Sequence, residues 1–191
     1  KPGTTTSWRH VVNLQDTPNH LLVERVWSVL EQVPDPEIPV VSIRELGILR
    51  EVNALADGSL EVVITPTYSG CPAMGQIEDD VRAALATHQL AAAVVTRLAP
   101  AWTTDWITAP GRDKLRTFGI APPHTVPTPH ADSGGRNVLH FVRKAAMAPA
   151  VACPHCGSPN TTETSHFGST ACKALYKCLD CLEPFDYFKP Y

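Results

Sequence analysis

The sequence has little that would take it into a membrane or onto nucleic acid. No apolar run in its 191 residues approaches the ~20 that a membrane helix needs; stretches such as Leu90–Val95 stop far short. Basic residues are not in excess: 16 Lys and Arg stand against 19 Asp and Glu, a net charge of −3. That excludes a chain-wide positive field for phosphate backbones or anionic lipid. Over residues 151–191, three Lys and no Arg face two Asp and two Glu, which leaves almost nothing to neutralise phosphates there. There is no G-x-S-x-G, no P-loop and no H-E-x-x-H, and the eight histidines show no ligand pairing at helical spacing. Nothing builds a general acid and base pair, so the chain is not expected to be an enzyme in its own right. Residues 1–22 hold no apolar core of signal-peptide type, and a cytoplasmic location is expected. Residues 1–7 are left out of fold reasoning.

What is present is a packable chain cut by proline. Hydrophobic residues make up 43% and charged ones 18%, enough for a core and too apolar for disorder. Eighteen prolines limit helix length. Asn19 is a candidate N-cap, and Leu22, Val26, Val29, Leu30 and Val33 follow at helical spacing, which predicts a helix ending at Pro34. Asp35-Pro36-Glu37-Ile38-Pro39 must then be an extended loop. Residues 48–55 and 60–65 read as strands joined at Asp57-Gly58. Val62 and Ile64 are expected on one face, Glu61 and Val63 on the other. A second helix is predicted from Cys71-Pro72, with Ile77, Val81, Leu85 and His88 on its inner face. A third strand is read over 92–98. Residues 101–121 read as an extension of this unit, with Leu115 and Phe118 turned inward. The fold class is therefore α+β: a small sheet of three to four strands with two or three helices over 19–121. A Pro- and Gly-containing linker over 122–150 and a C-terminal module over 151–191 follow.

That last module is about 40 residues, too short to be held by apolar burial alone. Its staple is legible. Cys153-Pro-His-Cys156 and Cys178-Leu-Asp-Cys181 are two C-x-x-C knuckles with 21 residues between them, close to the zinc-ribbon pattern. Two knuckles close a four-thiolate tetrahedron around one ion, which suits a structural zinc and supplies folding free energy; a single iron suits the same shell. His155 would strain the knuckle as a ligand, and His166 is a weaker alternative.

Two cysteines lie outside this set. Cys71 sits at a strand-to-helix corner, where free backbone N–H groups would favour its thiolate. Together with Asp35 and Glu37 it would form an open metal site if the two loops meet; otherwise it is a small residue packing the helix start, with the carboxylates solvating a loop. Cys172 is either a spare ligand or redox thiol, or a small core residue. Trp102 and Trp106 are either core anchors or an exposed aromatic docking site for a partner.

Asp35-Pro36-Glu37-Ile38, Arg44-Glu45-Leu46-Gly47-Ile48, Ile64-Thr65-Pro66-Thr67 and Gly70-Cys71-Pro72, over roughly residues 21–100, resemble the SufT-like domain family associated with iron–sulfur cluster assembly. Glu45 stands where many members carry Asp. Joined to Trp102-Thr-Thr-Asp-Trp106, Gly119-Ile-Ala-Pro-Pro123, Phe167–Cys178 and Glu183–Phe188, the whole is similar to the PaaD family of the bacterial phenylacetyl-CoA epoxidase system. The resemblance implies an accessory role in aerobic phenylacetate catabolism: maturation of an iron or iron–sulfur centre in a partner, above all the flavin- and cluster-bearing reductase. It implies that Cys71 is the reactive cysteine, a transient ligand for iron or a cluster, beside an acidic loop carrying Asp35 and Glu37. Cys153, Cys156, Cys178 and Cys181 would be the zinc ligands, and Cys172 lies in the family-specific block. The alternative is a structural subunit of the epoxidase complex. A homodimer is left open.

Overall fold

The computed structural model describes residues 18–124 and 150–190. Most of the stretch read as a linker lies outside them. Helix α1 (Pro18–Leu30) buries Val26 and Leu30, one helical turn apart. It starts at Pro18 rather than after a cap at Asn19, and it stops at Leu30, short of Pro34. After Leu30 the chain makes one tighter turn, with the Gln32 and Val33 N–H groups bonding the Val29 and Leu30 carbonyls. Pro34 then keeps Val33 out of the α region, and the chain straightens. The straightened chain makes a single antiparallel bridge between Pro34 and Ser42.

The following loop is organised by side chains. Asp35 accepts the N–H groups of Glu37 (3.0 Å) and Ile38 (2.8 Å). Ser42 and Glu45 then form a reciprocal box: the Ser42 N–H donates to Glu45 Oε2 (2.9 Å) and the Glu45 N–H donates to Ser42 Oγ (3.2 Å). Lys114 Nζ adds an ion pair to Glu45 at 2.7 Å. Burial alone would raise the Glu45 pKa, but the Lys114 bond and the Ser42 contacts outweigh it and hold the carboxyl below its ordinary 4.5. A depressed carboxylate stabilises the fold above its unfolded pKa and loses that contribution as pH falls through the folded value. The stability difference between the wild type and Glu45→Gln, read from thermal melts, is therefore expected to be full above about pH 5 and to shrink as pH falls below 4.5.

Strands β1 (Leu49–Ala54) and β2 (Leu60–Ile64) form an antiparallel hairpin. β3 (Ala93–Thr96) lies parallel to β2, giving the order β1-β2-β3. Parallel neighbours need a crossover, and α2 (Met74–Thr87) supplies it. Val62 and Ile64 are buried as expected, but so is Val63, so that strand is covered on both faces at its middle. Ile77, Val81 and Leu85 point inward from α2; His88 does not, because the helix has ended and His88 is its exposed C-cap. α2 also begins later than Cys71-Pro72: Cys71 to Ala73 make a separate turn, with the Met74 N–H donating to the Cys71 carbonyl.

A short 3-10 turn (Thr104–Trp106) leads to α3 (Ala109–Thr117). Thr108 caps α3 by accepting the Gly111 N–H at 3.1 Å. Thr108→Ala should cost ~0.5–2 kcal/mol, seen as a lower urea midpoint with an unchanged slope. Leu115 is fully buried, whereas Phe118, expected inward, is 54% exposed: it too lies past the helix end, where the periodicity no longer applies.

The C-terminal sheet has the order β4-β7-β6-β5. β5 (Thr161–Ser165), β6 (Lys173–Cys178) and β7 (Pro184–Phe188) are antiparallel neighbours. β4 (Ile120–Ala121), from the stretch read as part of the first unit, pairs parallel to β7. The two sheets also share a core. Cys172 and Phe188 are buried in the same apolar cluster as Val26, Leu30 and Ile77, and the Phe188 ring lies 5.9 Å from that of Trp102. Trp102 is 4% exposed and its indole N–H donates to the Leu46 carbonyl at 2.9 Å. It is a core anchor that joins the two parts, not the exposed docking residue of the alternative reading. Trp106 is half-buried, with the Arg50 guanidinium 3.3 Å from the centre of its ring. Gly47 makes this packing feasible. Its φ is +71°, and a Cβ there would fall 2.6 Å from Trp106 Cβ and 2.7 Å from the Trp106 carbonyl oxygen. Among the described residues no helix is long and apolar enough to cross a membrane.

Candidate metal centres

The first centre is built by the two C-terminal knuckles. In the first, the Gly157 N–H returns to the Cys153 carbonyl at 2.9 Å, with Gly157 at a φ of +76°. The second closes with the Cys178 N–H on the Glu183 carbonyl and with Leu182 left-handed. Asp180 ties the knuckles together, accepting from Ser158 Oγ and from Asn160 Nδ2. The Sγ atoms of Cys153, Cys156, Cys178 and Cys181 all lie within 4.8 Å of one another. Cys153 and Cys181 are 3.8 Å apart, Cys156 and Cys178 3.6 Å. Four zinc–sulfur bonds of ~2.3 Å give a tetrahedron with an edge of ~3.8 Å, so the donor set fits that ion and leaves no open position.

The electrostatics agree. The Cys181 N–H, with that of Asp180, pulls the Cys178 thiol down to about 7. The Glu183 N–H favours the Cys181 thiolate, but burial and the three neighbouring sulfurs win and push it up to about 12. Four sulfurs this close ionise together only around a cation. His155 lies against Gly119, and His166 pairs with Glu163 at 3.2 Å; neither belongs to the group.

Asp35, Glu37, Cys71 and Cys172 lie within electrostatic reach of one another, but no three of their ligand atoms come within 4.8 Å of one another. Asp35 comes from the loop after α1, Cys71 from the turn before α2, and Cys172 from the turn before β6. The Cys71 thiol feels the charges of Glu37, Cys172 and Asp35, and the Cys172 thiol feels those of Glu37 and Lys173. Asp35 is buried, and burial pushes its carboxyl up against the pull of the Ile38 and Glu37 N–H groups and Lys173.

The expectation that a helix end depresses the Cys71 pKa is overturned: burial raises it, and Glu37, Cys172 and Asp35 raise it further, against one N–H from Ala73. The helix starts three residues too late to serve Cys71 directly. Two neighbours of these residues were not anticipated from sequence. Lys173 is 5% exposed, with Nζ 3.4 Å from Asp186 Oδ2. Thr170 hydrogen-bonds the Glu37 side chain and lies 3.0 Å from Cys172 Sγ. Their one sequence signal was adjacency to Cys172.

A hollow of about 660 Å³, walled by the loop after α1 and by the start of α3, does not touch these cysteines. Its charged walls, Glu31, Arg44, Glu45 and Lys114, are already paired with one another, so no charged group in it is left for a ligand.

Residues 23–96 match the family model described as iron–sulfur cluster assembly protein, and residues 140–189 match the PaaD zinc beta ribbon domain. A protein of Escherichia coli (strain K12), provisionally named as one of the subunits of 1,2-phenylacetyl-CoA epoxidase, is 46% identical over 168 residues, covering 87% of this chain and 92% of its own. The chain belongs to the PaaD family. Its N-terminal part has a wider kinship: the Fe-S protein maturation auxiliary factor YitW of Bacillus subtilis (strain 168) is 35% identical over 97 residues, 51% of this chain and 88% of its own. A solved Bacillus anthracis domain of unknown function (DUF59) covers 50% of this chain and 92% of its own at 28% identity, with a TM-score of 0.46. The PaaD ribbon and the cluster-assembly domain are thus the two parts whose cores merge at Phe188 and Cys172.

Proposed function

We propose that this chain is a non-catalytic, cytoplasmic accessory factor of a phenylacetyl-CoA epoxidase system, in which it loads iron or an iron–sulfur cluster into a partner subunit. The flavin and iron–sulfur reductase is the client. One structural zinc, held by Cys153, Cys156, Cys178 and Cys181, keeps the C-terminal sheet folded. Cys71 takes the iron as cargo, with Asp35 and Glu37 beside it. The observation that supports this reading is a half-buried thiol within electrostatic reach of two carboxylates inside the segment that matches the cluster-assembly family. A single thiolate with carboxylate neighbours suits uptake and release of iron better than the closed four-thiolate shell of the ribbon.

Cys71→Ser is expected to fold and to keep its ribbon metal, while the reductase purified from cells carrying it is short of iron. Unchanged reductase iron content would end this role for Cys71. A second reading, a stoichiometric structural subunit, is favoured by the name of the E. coli relative. Co-purification of all epoxidase components at a fixed ratio, insensitive to Cys71→Ser, would support it instead.

A further inference from the structure

We propose that Cys156 is the point at which a peroxide enters the ribbon: its thiolate is oxidised first, it forms a disulfide with Cys178, and the metal is released. This rests on the ribbon holding zinc as proposed above. It makes that centre a reporter of oxidant as well as the staple of a sheet.

The six sulfurs differ in access. Cys178, Cys153 and Cys172 are 0%, 2% and 5% exposed, and Cys71 and Cys181 are half-buried, whereas Cys156 is exposed. Its surroundings are open. A Cβ at the next residue, Gly157, would meet nothing within 4 Å, and the ring of His155 on the other flank lies against Gly119. The sulfurs differ in charge as well. A ribbon ligand must be a thiolate to hold the ion, and the thiolate is the form that attacks an oxidant. Cys71 instead has burial and the charge of Glu37 against ionisation. Exposure and thiolate character thus coincide at Cys156. A resolving sulfur is at hand, because Cys178 lies 3.6 Å away on the opposite knuckle.

The Cys156 sulfur attacks one peroxide oxygen, the O–O bond breaks, and a sulfenic acid and hydroxide result. The Cys178 thiolate attacks that sulfur, the S–O bond breaks with loss of a second hydroxide, and the S–S bond forms. Two thiolates have given up two electrons, and two protons from solvent turn the hydroxides into water. Cys153 and Cys181 alone do not make the four-coordinate shell of a structural zinc, so the ion leaves. The new bond joins the same two knuckles that the ion joined, and the ribbon stays tied until a thiol reductant and zinc restore it. Cys178 ends β6, and Cys172 just before that strand enters the N-terminal core with Phe188, so the change lies one strand from that core.

In the test, the full-length chain is isolated with its metal, its zinc content is measured, and it is titrated with hydrogen peroxide without reductant. Released zinc is followed with a chelating dye. Disulfides and remaining thiols are mapped by alkylation under denaturing conditions and peptide mass spectrometry. The expected result is loss of zinc in step with loss of the Cys156 and Cys178 thiols into one disulfide, with Cys71 and Cys172 still alkylated. Reductant with zinc should reverse it. Cys71→Ser should release zinc at the wild-type rate; slower release there would put the entry point at Cys71 and overturn the proposal. A first disulfide between Cys153 and Cys181, or between Cys153 and Cys156, also overturns it, as does oxidation of Cys156 with zinc still bound. A chain isolated without zinc overturns the structural-zinc reading itself, and this inference with it.

Discussion

Cys178→Ser is expected to abolish the ribbon rather than soften it. The variant should lose its bound metal, and circular dichroism should show the loss of the β5–β7 signal, with the near-ultraviolet bands of Tyr176 and Tyr187 gone. A strong chelator should do the same to the wild type. Cys178 is fully buried, and the N–H groups of Cys181 and Asp180 favour its thiolate, so it anchors the shell. Structural zinc in small domains contributes on the order of 10 kcal/mol of apparent folding free energy, comparable to the whole stability of an ordinary domain. The effect should also travel. Phe188 sits in the N-terminal core against Trp102, and withdrawing a buried phenylalanine costs ~3–5 kcal/mol. The remaining transition should therefore move to lower temperature. A chelated protein whose N-terminal melting is unchanged would contradict the shared core.

Among the described glycines, Gly47→Ala should be the most damaging added methyl group. A left-handed φ costs a residue with a side chain ~1–2 kcal/mol, and forcing a methyl into packed backbone costs ~1–3 more, roughly 2–5 in total. Both apply here, because the new Cβ would land 2.6 Å from Trp106 Cβ with φ at +71°. Trp106 cannot yield freely, since it is followed by Ile107 and Thr108, and the Thr108 N–H donates to the Glu45 carbonyl at 2.9 Å. Gly58→Ala is the control. It has φ at +84° but open space around it, so only the first cost applies. Urea midpoints of the two variants should differ clearly; equal midpoints would mean that the Trp106 segment is not held where it is seen.

Local chemistry made some of this legible in the sequence and hid the rest. The ribbon was readable because four thiolates on two knuckles have one sensible partner, and the spacing alone carries that. The β1–β2 hairpin was readable from Asp57-Gly58 between two apolar runs. Helix faces were right in the middle of the helices and wrong toward their ends: Leu22, in the first turns of α1, is 38% exposed, and His88 and Phe118 continue the apolar spacing past the last hydrogen-bonded turn, which spacing does not locate. α2 starts later than Cys71-Pro72 predicts, because a proline suits a first helical turn and also suits the turn that comes before one. The Ser42-x-x-Glu45 box is present in the letters but carries little signal there, since no long helix follows it. Trp102 was open between core and surface because burial belongs to the tertiary structure. For the same reason the Cys71 pKa was expected to fall: the helix end is a local feature, while the burial and the charges of Asp35, Glu37 and Cys172 that win come from distant parts of the chain. β4, two residues long, has no period to detect, and its partner strand lies beyond the proline-rich stretch.

That two-residue strand bears on how the protein can be divided. β7 is flanked by β6 on one side and by β4 on the other. A fragment beginning after residue 124 would therefore leave the β7 edge with unsatisfied amides and Phe188 without its indole neighbour, which invites self-pairing of copies. The shortest autonomous unit containing the ribbon has to reach back through β4 and Trp102, and severing the two halves between the family-model matches would yield a sticky fragment rather than an independent module.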